Sequence, residues 1–290
     1  MYLANRAPEL FPGASFSVAH CNFGLRGEES DGDERFVREW CASKGVECFV
    51  EHFPTSEYAS GKGISIEMAA RELRYGWFAR LRKEHGFDAV AVAHNACDNA
   101  ETLMLNLLRG TGSRGIRGMS PDSCGIVRPL LGITRAQILD WMRSHGLEWR
   151  EDSTNAENVY KRNIIRNEVF PIFGRINPAF IQTLGADMKR FAQVDDIAED
   201  YFKDAQAKVC GADGSVSVDR LLELPHWEYV LWRLLEHASL SQPTFDKLTA
   251  LLQKFKDSPR GTVTLGGKSF ESPTHIITIR KGRIFSARTE

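Results

Sequence analysis

Two periods of apolar spacing alternate along the first 110 residues. "SFSVAHCNF" (Ser15 to Phe23), "VECFVEHF" (Val46 to Phe53) and "FDAVAVA" (Phe87 to Ala93) are short, mostly apolar runs of strand character. Between them the spacing lengthens. Asp33 to Gly45 reads as a helix ending on glycine. "ISIEMAARELRYGWFARLRKEHG" sets Ile66, Ala70, Leu73, Trp77 and Leu81 on one helical face, and "AETLMLNLLRG" turns Leu103, Met104, Leu107 and Leu108 inward. Strand and helix in turn predict an α/β fold, a parallel sheet with helices on both faces.

Further on, Thr134 to Gly146 is a helix opened by a Thr134–Gln137 capping box. After Pro178 the strands give way to one long helix and two shorter ones, around Trp227 to His237 and Thr244 to Phe255. "GTVTLGGKSFESPTHIITIRKGRI" closes the chain as short strands with glycine turns. The pattern predicts two domains, 1–176 and 177–290, the second mainly helical with short terminal strands. The first 13 residues read as partly helical, stopping at Pro12-Gly13, with no strand before them. In an alternating chain that implies a missing first strand.

The 290 residues are 42% apolar and 26% charged, ordinary for a globular protein, and no apolar run is long enough to span a bilayer. The six cysteines form no C-x-x-C pair, which removes support for zinc or thioredoxin chemistry and fits a reducing, cytoplasmic setting. Net charge is −1, so bulk charge carries no nucleic-acid signal. Its distribution does: acids prevail from Glu28 to Glu72, bases from Arg109 to Arg175.

Candidate chemistry sits where strands end. His20 and Asn22 close one strand; His94 to Asp98 follow another and open a helix, whose N-terminus attracts anions. Asp98 and Glu101 are oxygen donors suited to Mg²⁺ beside phosphate, and the Arg109-Gly110-Thr111-Gly112 turn lets backbone approach a ligand. Together these suit a nucleoside triphosphate. Each has a plainer reading too: Asp98 and Glu101 as a D-x-x-E cap, Glu67 and Arg71 as an i,i+4 pair, His94 as a hydrogen-bonded strand end.

Taken in order, "AHCNFGLRGEESDGDERFV", "SIEMAARELRYGWF", "AHNACDNAETLMLNLLRGTG", "IVRPLLGITRAQI" and "EDSTNAENVYKRNIIRNEVFP" closely resemble the tRNA(Ile)-lysidine synthases, of the N-type ATP pyrophosphatase family with its adenine-nucleotide alpha-hydrolase-like fold. The resemblance implies ATP-dependent adenylation of the wobble cytidine in tRNA(Ile) with a CAU anticodon, then attack by free lysine, releasing pyrophosphate and AMP. It implies catalytic Asp98, Glu101, Arg162 and Arg166, with Mg²⁺ on Asp98. It places His20, Asn22, Arg26, His94, Arg109, Gly110, Thr111 and Gly112 around ATP, and Arg71, Arg74, Arg114, Arg128 and Lys161 toward tRNA. It also admits a homodimer.

The chain departs from the family pattern. The S-G-G-x-D-S phosphate loop that follows the family's first strand does not occur, so the strandless first helix and the missing loop describe one gap and imply an N-terminally shortened chain. Cys97 and Phe23 stand where many relatives carry Asp and His. Long forms of the family continue into a further tRNA-binding domain beyond the position of Glu290. Two other readings remain: a tRNA thiolation enzyme of the same superfamily, and a shortened, non-catalytic tRNA-binding remnant.

Overall fold

The computed structural model describes residues 1–150, 161–259 and 262–289. Its contacts divide the chain into two compact units, Met1–Ala192 and Gln193–Glu290, the division falling inside the helix Phe180–Val209.

In the first unit strands and helices alternate. Val18–Asn22 pairs in parallel with Cys48–His52, and Val90–Ala91 in parallel with Ile126–Val127, which also takes Asp122–Ser123 antiparallel. Among the described residues no hydrogen bond joins the first pair of strands to the other three. Both groups lie against one helix, Ile66–His85: Trp77, Phe78 and Leu81 pack with Ala19, Cys21 and Phe49 from one and with Val90, Val92 and Ile126 from the other. This helix starts where its side chains say it should, Ser65 Oγ accepting from Met68 N–H, and stops on left-handed Gly86. Its buried face is Ala69, Trp77, Phe78 and Leu81. The N-terminal helix Tyr2–Leu10 packs Tyr2 against Leu130, Met142 and Trp141. The Thr134–Gln137 capping box of the helix Arg135–Ser144 is formed as its spacing predicts.

Three local expectations need correction. The helix expected from Asp33 begins at Glu28, because Glu28, Glu29 and Asp31 sit favourably at its positive end. Leu107 and Leu108 do not point inward; they are 49% and 75% exposed, because that helix buries Asn99, Ala100, Glu101 and Leu103 instead. The cap at this helix is Asn95 with Asp98, not Asp98 with Glu101: Asn95 Oδ1 accepts from Cys97 and Asp98 N–H, while Asp98 Oδ2 accepts from Asn95 N–H. The helix Thr55–Lys62 and the short strands Asp122–Ser123 and Ile126–Val127 are additions.

The second unit has one continuous core. Val218, Leu221, Leu231, Leu248, Leu252, Ile277, Ile279 and Ile284 are sealed from solvent between helices and an antiparallel sheet. The sheet runs Val216–Ser217, Arg283–Arg288, His275–Arg280, Lys268–Glu271 in space. The period of two in "HIITIR" puts Ile277 and Ile279 on its buried face.

Candidate functional site

The helix Ala96–Arg109 follows the strand Val90–Ala91, so its N-terminus lies at a carboxyl strand end, where open α/β sheets bind ligands. Glu101, one turn in, is fully buried. A buried carboxylate needs partners, and two arginines supply them. Arg166 grips it with both arms, Nε to Oε1 at 2.7 Å and Nη2 to Oε2 at 3.1 Å, and its Nη2 also lies 3.4 Å from Asp98 Oδ1. Arg162 places Nε 3.2 Å from Glu101 Oε2 and donates from Nη2 to Thr102 Oγ1 at 2.8 Å. Burial pushes the Glu101 carboxyl upward, against the pull of Arg166.

Local sequence explains how Arg166 reaches this point. Lys161–Ile164 is α-helical, Ile165–Val169 makes a wider π turn, and Phe170–Ile176 resumes the α-helix. Pro171 has no N–H to give to the residue four back, and its ring crowds that carbonyl. The ladder widens instead, with Phe170 N–H bonding Ile165 O. Arg166 sits inside that turn.

His94 stands at the strand end beside the cluster. Burial lowers its pKa first; Asp98 pulls upward, while Arg128, Arg162 and Arg71 push the same way as burial. Among the described residues its Nδ1 is buried without a hydrogen-bond partner, as is Arg128 Nε, although Arg128 Nη1 donates to Ser120 O. A neutral imidazole among guanidiniums is an environment that favours an anion.

His20, Asn22 and Arg26 form a second cluster, at the end of the strand Val18–Asn22. Asn22, 2% exposed, donates to Asp31 and Glu34 and accepts from Gly24 N–H. Arg26 pairs with Asp33 at 2.7 Å, and Asp33 also takes Arg150 at 2.6 Å. Burial lowers the His20 pKa, against the pull of Glu34 and Asp33. Asn22 thus spends its amide bracing the turn that follows the strand. Arg74 lies over the Phe23 ring at 5.2 Å on this side, and Arg71 over Tyr75 at 4.8 Å.

The Arg109–Gly112 turn is not brought to the Asp98 centre. It closes the far end of the same helix, about 16 Å along the axis from Asp98 at 1.5 Å per residue. Nor is the loop after it a loose cradle. Asn106 donates to Gly115 O, and Asn99 accepts from Met119 N–H at 2.7 Å. Gly118 passes so close that a Cβ there would lie 2.6 Å from Asn99 Oδ1 and 2.4 Å from Met188 Sδ. Arg114 and Lys161 are exposed. The segment 151–160 of the "EDSTNAENVYKRNIIRNEVFP" motif lies outside the described residues.

Among the described residues, no group of three or more His, Cys, Asp or Glu side chains is arranged to hold a metal ion. Glu101 is enclosed, so the carboxylate with access to a ligand is Asp98, 20% exposed. Sequence reasoning overlooked Thr102 and Asn99. Their signal was position, one on either side of the Ala100–Glu101 step that faces the interior.

Residues 1–173 match the family model described as the PP-loop domain. The chain is 40% identical over 256 residues to a tRNA(Ile)-lysidine synthase of Parabacteroides distasonis, covering 88% of this chain and 56% of that one. It is 42% identical over 223 residues to the tRNA(Ile)-lysidine synthase of Bacteroides thetaiotaomicron, covering 77% and 52%. The chain thus spans about half the length of these curated relatives. Among solved structures, the U34-tRNA thiolase NcsA of Methanococcus maripaludis, with its [4Fe-4S] cluster, shares the fold at a TM-score of 0.52 and 16% identity over 66% of each chain. No described helix is long and apolar enough to cross a membrane.

Proposed function

Because the chain belongs to the PP-loop domain family, we propose that it carries the ATP-using part of a tRNA(Ile)-lysidine synthase. The C2 carbonyl oxygen of the wobble cytidine, in tRNA(Ile) with a CAU anticodon, attacks the α-phosphate of ATP and releases pyrophosphate. The amine of free lysine then attacks C2 and displaces AMP, in the cytoplasm. The observation that carries this reading is the paired guanidiniums on buried Glu101. Arg162 and Arg166 are held by an acid that solvent cannot reach, and their own side chains remain 33% and 26% exposed. Fixed cations of this kind stabilise charge that grows on a phosphoryl group under attack.

In this reading Arg162 and Arg166 meet phosphate or the reacting cytidine. Arg71 and Arg128 extend the cationic wall around neutral His94, and His20, Asn22 and Arg26 shape the neighbouring strand end. Mg²⁺ fits through Asp98 alone, completed by phosphate oxygens and water, and would supply charge neutralisation at the phosphates. Glu101 has no free face for it. The homodimer belongs to the proposal and is measured by solution mass.

Thiolation is the rival chemistry, and Cys97 is the thiol beside Asp98. Burial pushes its pKa up, which disfavours the thiolate that sulfur transfer needs. The decisive experiment supplies ATP, Mg²⁺, lysine and minor isoleucine tRNA, measures pyrophosphate, and analyses the tRNA nucleosides. Lysidine with pyrophosphate is the expected result. A thiolated nucleoside supports the rival, and tRNA binding without pyrophosphate identifies a binding remnant.

A further inference from the structure

We propose that Thr102 is a positioning residue for Arg162, an inference that rests on the reading of the site just given. The Thr102 hydroxyl is fully directed. It donates to the Asp98 carbonyl at 2.9 Å and accepts from Arg162 Nη2 at 2.8 Å. Arg162 also lies near Glu101, but there its Nε makes an ion pair without hydrogen-bond geometry, and among the described residues that nitrogen has no hydrogen-bond partner. Coulomb attraction draws the guanidinium in; it does not fix the plane of the group. The hydroxyl does, because a hydrogen bond weakens steeply as it bends.

Consecutive residues of one helix therefore divide the task. Glu101 binds Arg166 in the two-armed geometry that sets a guanidinium plane by itself. Thr102 gives Arg162 the direction that Glu101 does not. The same oxygen ties Arg162 to the backbone of Asp98, so the guanidinium and the accessible carboxylate keep a set spacing. Arg162 side chains have many rotamers, and holding one of them in advance removes an ordering cost from the reaction.

Two substitutions separate positioning from packing. Thr102→Val keeps the shape and removes the hydroxyl; Thr102→Ser keeps the hydroxyl and removes the methyl. Positioning follows the hydroxyl, whereas a packing role follows the methyl. The expected result for Thr102→Val is a fall in kcat for pyrophosphate release of about tenfold, the size of one lost hydrogen bond to a charged group. KM for ATP stays within about twofold, as for an interaction made in the transition state. Thr102→Ser stays near the wild type.

Nitrogen-15 NMR of arginine side chains, with the Arg162 signal assigned through Arg162→Lys, reads the same contact without any reaction. Thr102→Val should shift and broaden that signal, and Thr102→Ser should not. A wild-type rate or an unmoved Arg162 signal in Thr102→Val overturns the inference, as does a larger defect in Thr102→Ser. Should the wild-type protein release no pyrophosphate, the functional reading fails by itself, and the NMR comparison still decides the role of Thr102.

Discussion

Two buried charges, Glu101 in the first unit and Arg233 in the second, are built in opposite senses. In the first unit the enclosed group is an acid, Glu101, and its bases reach toward solvent. Arg233, in the second, is an enclosed base. Arg233, its side chain 3% exposed, bonds Glu199 at 2.7 Å and the Tyr229 hydroxyl at 2.8 Å, and lies over the Phe202 ring at 4.5 Å. Its acids are the parts that water reaches, Glu199 at 29% and Glu236 at 45%. Both arrangements satisfy an internal charge. The first presents positive groups to whatever arrives; the second presents negative groups and closes its cation away. That polarity, not the presence of a buried ion pair, separates a site suited to phosphate from a structural fastening.

The sharpest break of this comparison removes the arginine from each. Arg166→Met leaves Glu101 with Arg162 at imperfect geometry, and should cost about 3 kcal/mol of folding stability as well as nearly all pyrophosphate release. Arg233→Met should cost a similar amount, about 3 kcal/mol, with activity of the folded protein retained. Denaturant titration and a pyrophosphate assay on each variant check both halves, and equal loss of activity would erase the distinction. Next in size is Gly118→Ala. The new methyl meets Met188 and Asn99 on a backbone with φ of +72°, so a loss of about 2 kcal/mol is expected by denaturant titration.

The smallest effect concerns pH. The folded protein holds His94 below its ordinary value, chiefly through burial, so between the two values the unfolded chain binds more protons. Stability is therefore complete above about 6.5 and falls as pH drops below it. His94→Asn should flatten that decline, measured by denaturation at neutral pH and near pH 5.5. Bound pyrophosphate should raise the His94 pKa, which NMR of the imidazole would follow.

Much of the first unit was legible because its elements obey local rules. Thr134 and Gln137 are three apart, and the box they predict is there. The crowding of His94, Asp98 and Glu101 after "FDAVAVA" marked a strand end, and the structure gathers Asp98, Glu101, Arg162 and Arg166 at it. What escaped depends on distance in sequence. That Asp98 caps Asn95, that Arg162 chooses Thr102, and that Asn22 turns to Asp31 and Glu34 are choices among equally plausible partners. Leu107 and Leu108 follow the helical stripe yet stay outside, since periodicity names a face without saying how far along it the neighbour extends. The distance of the Arg109–Gly112 turn from Asp98 escaped for a simpler reason: residues adjacent to a motif can still lie a whole helix away from it.

Pro171 shows how far a consequence can travel from its cause. It carries no charge and offers no hydrogen to any ligand, yet the wide turn before it governs where Arg166 arrives. An alanine at that position would allow the regular spiral to close up, and Arg166 would swing around the axis relative to Arg162. A kinetic assay would then report a damaged active centre although no reactive atom had been altered, the defect having entered through a missing amide hydrogen.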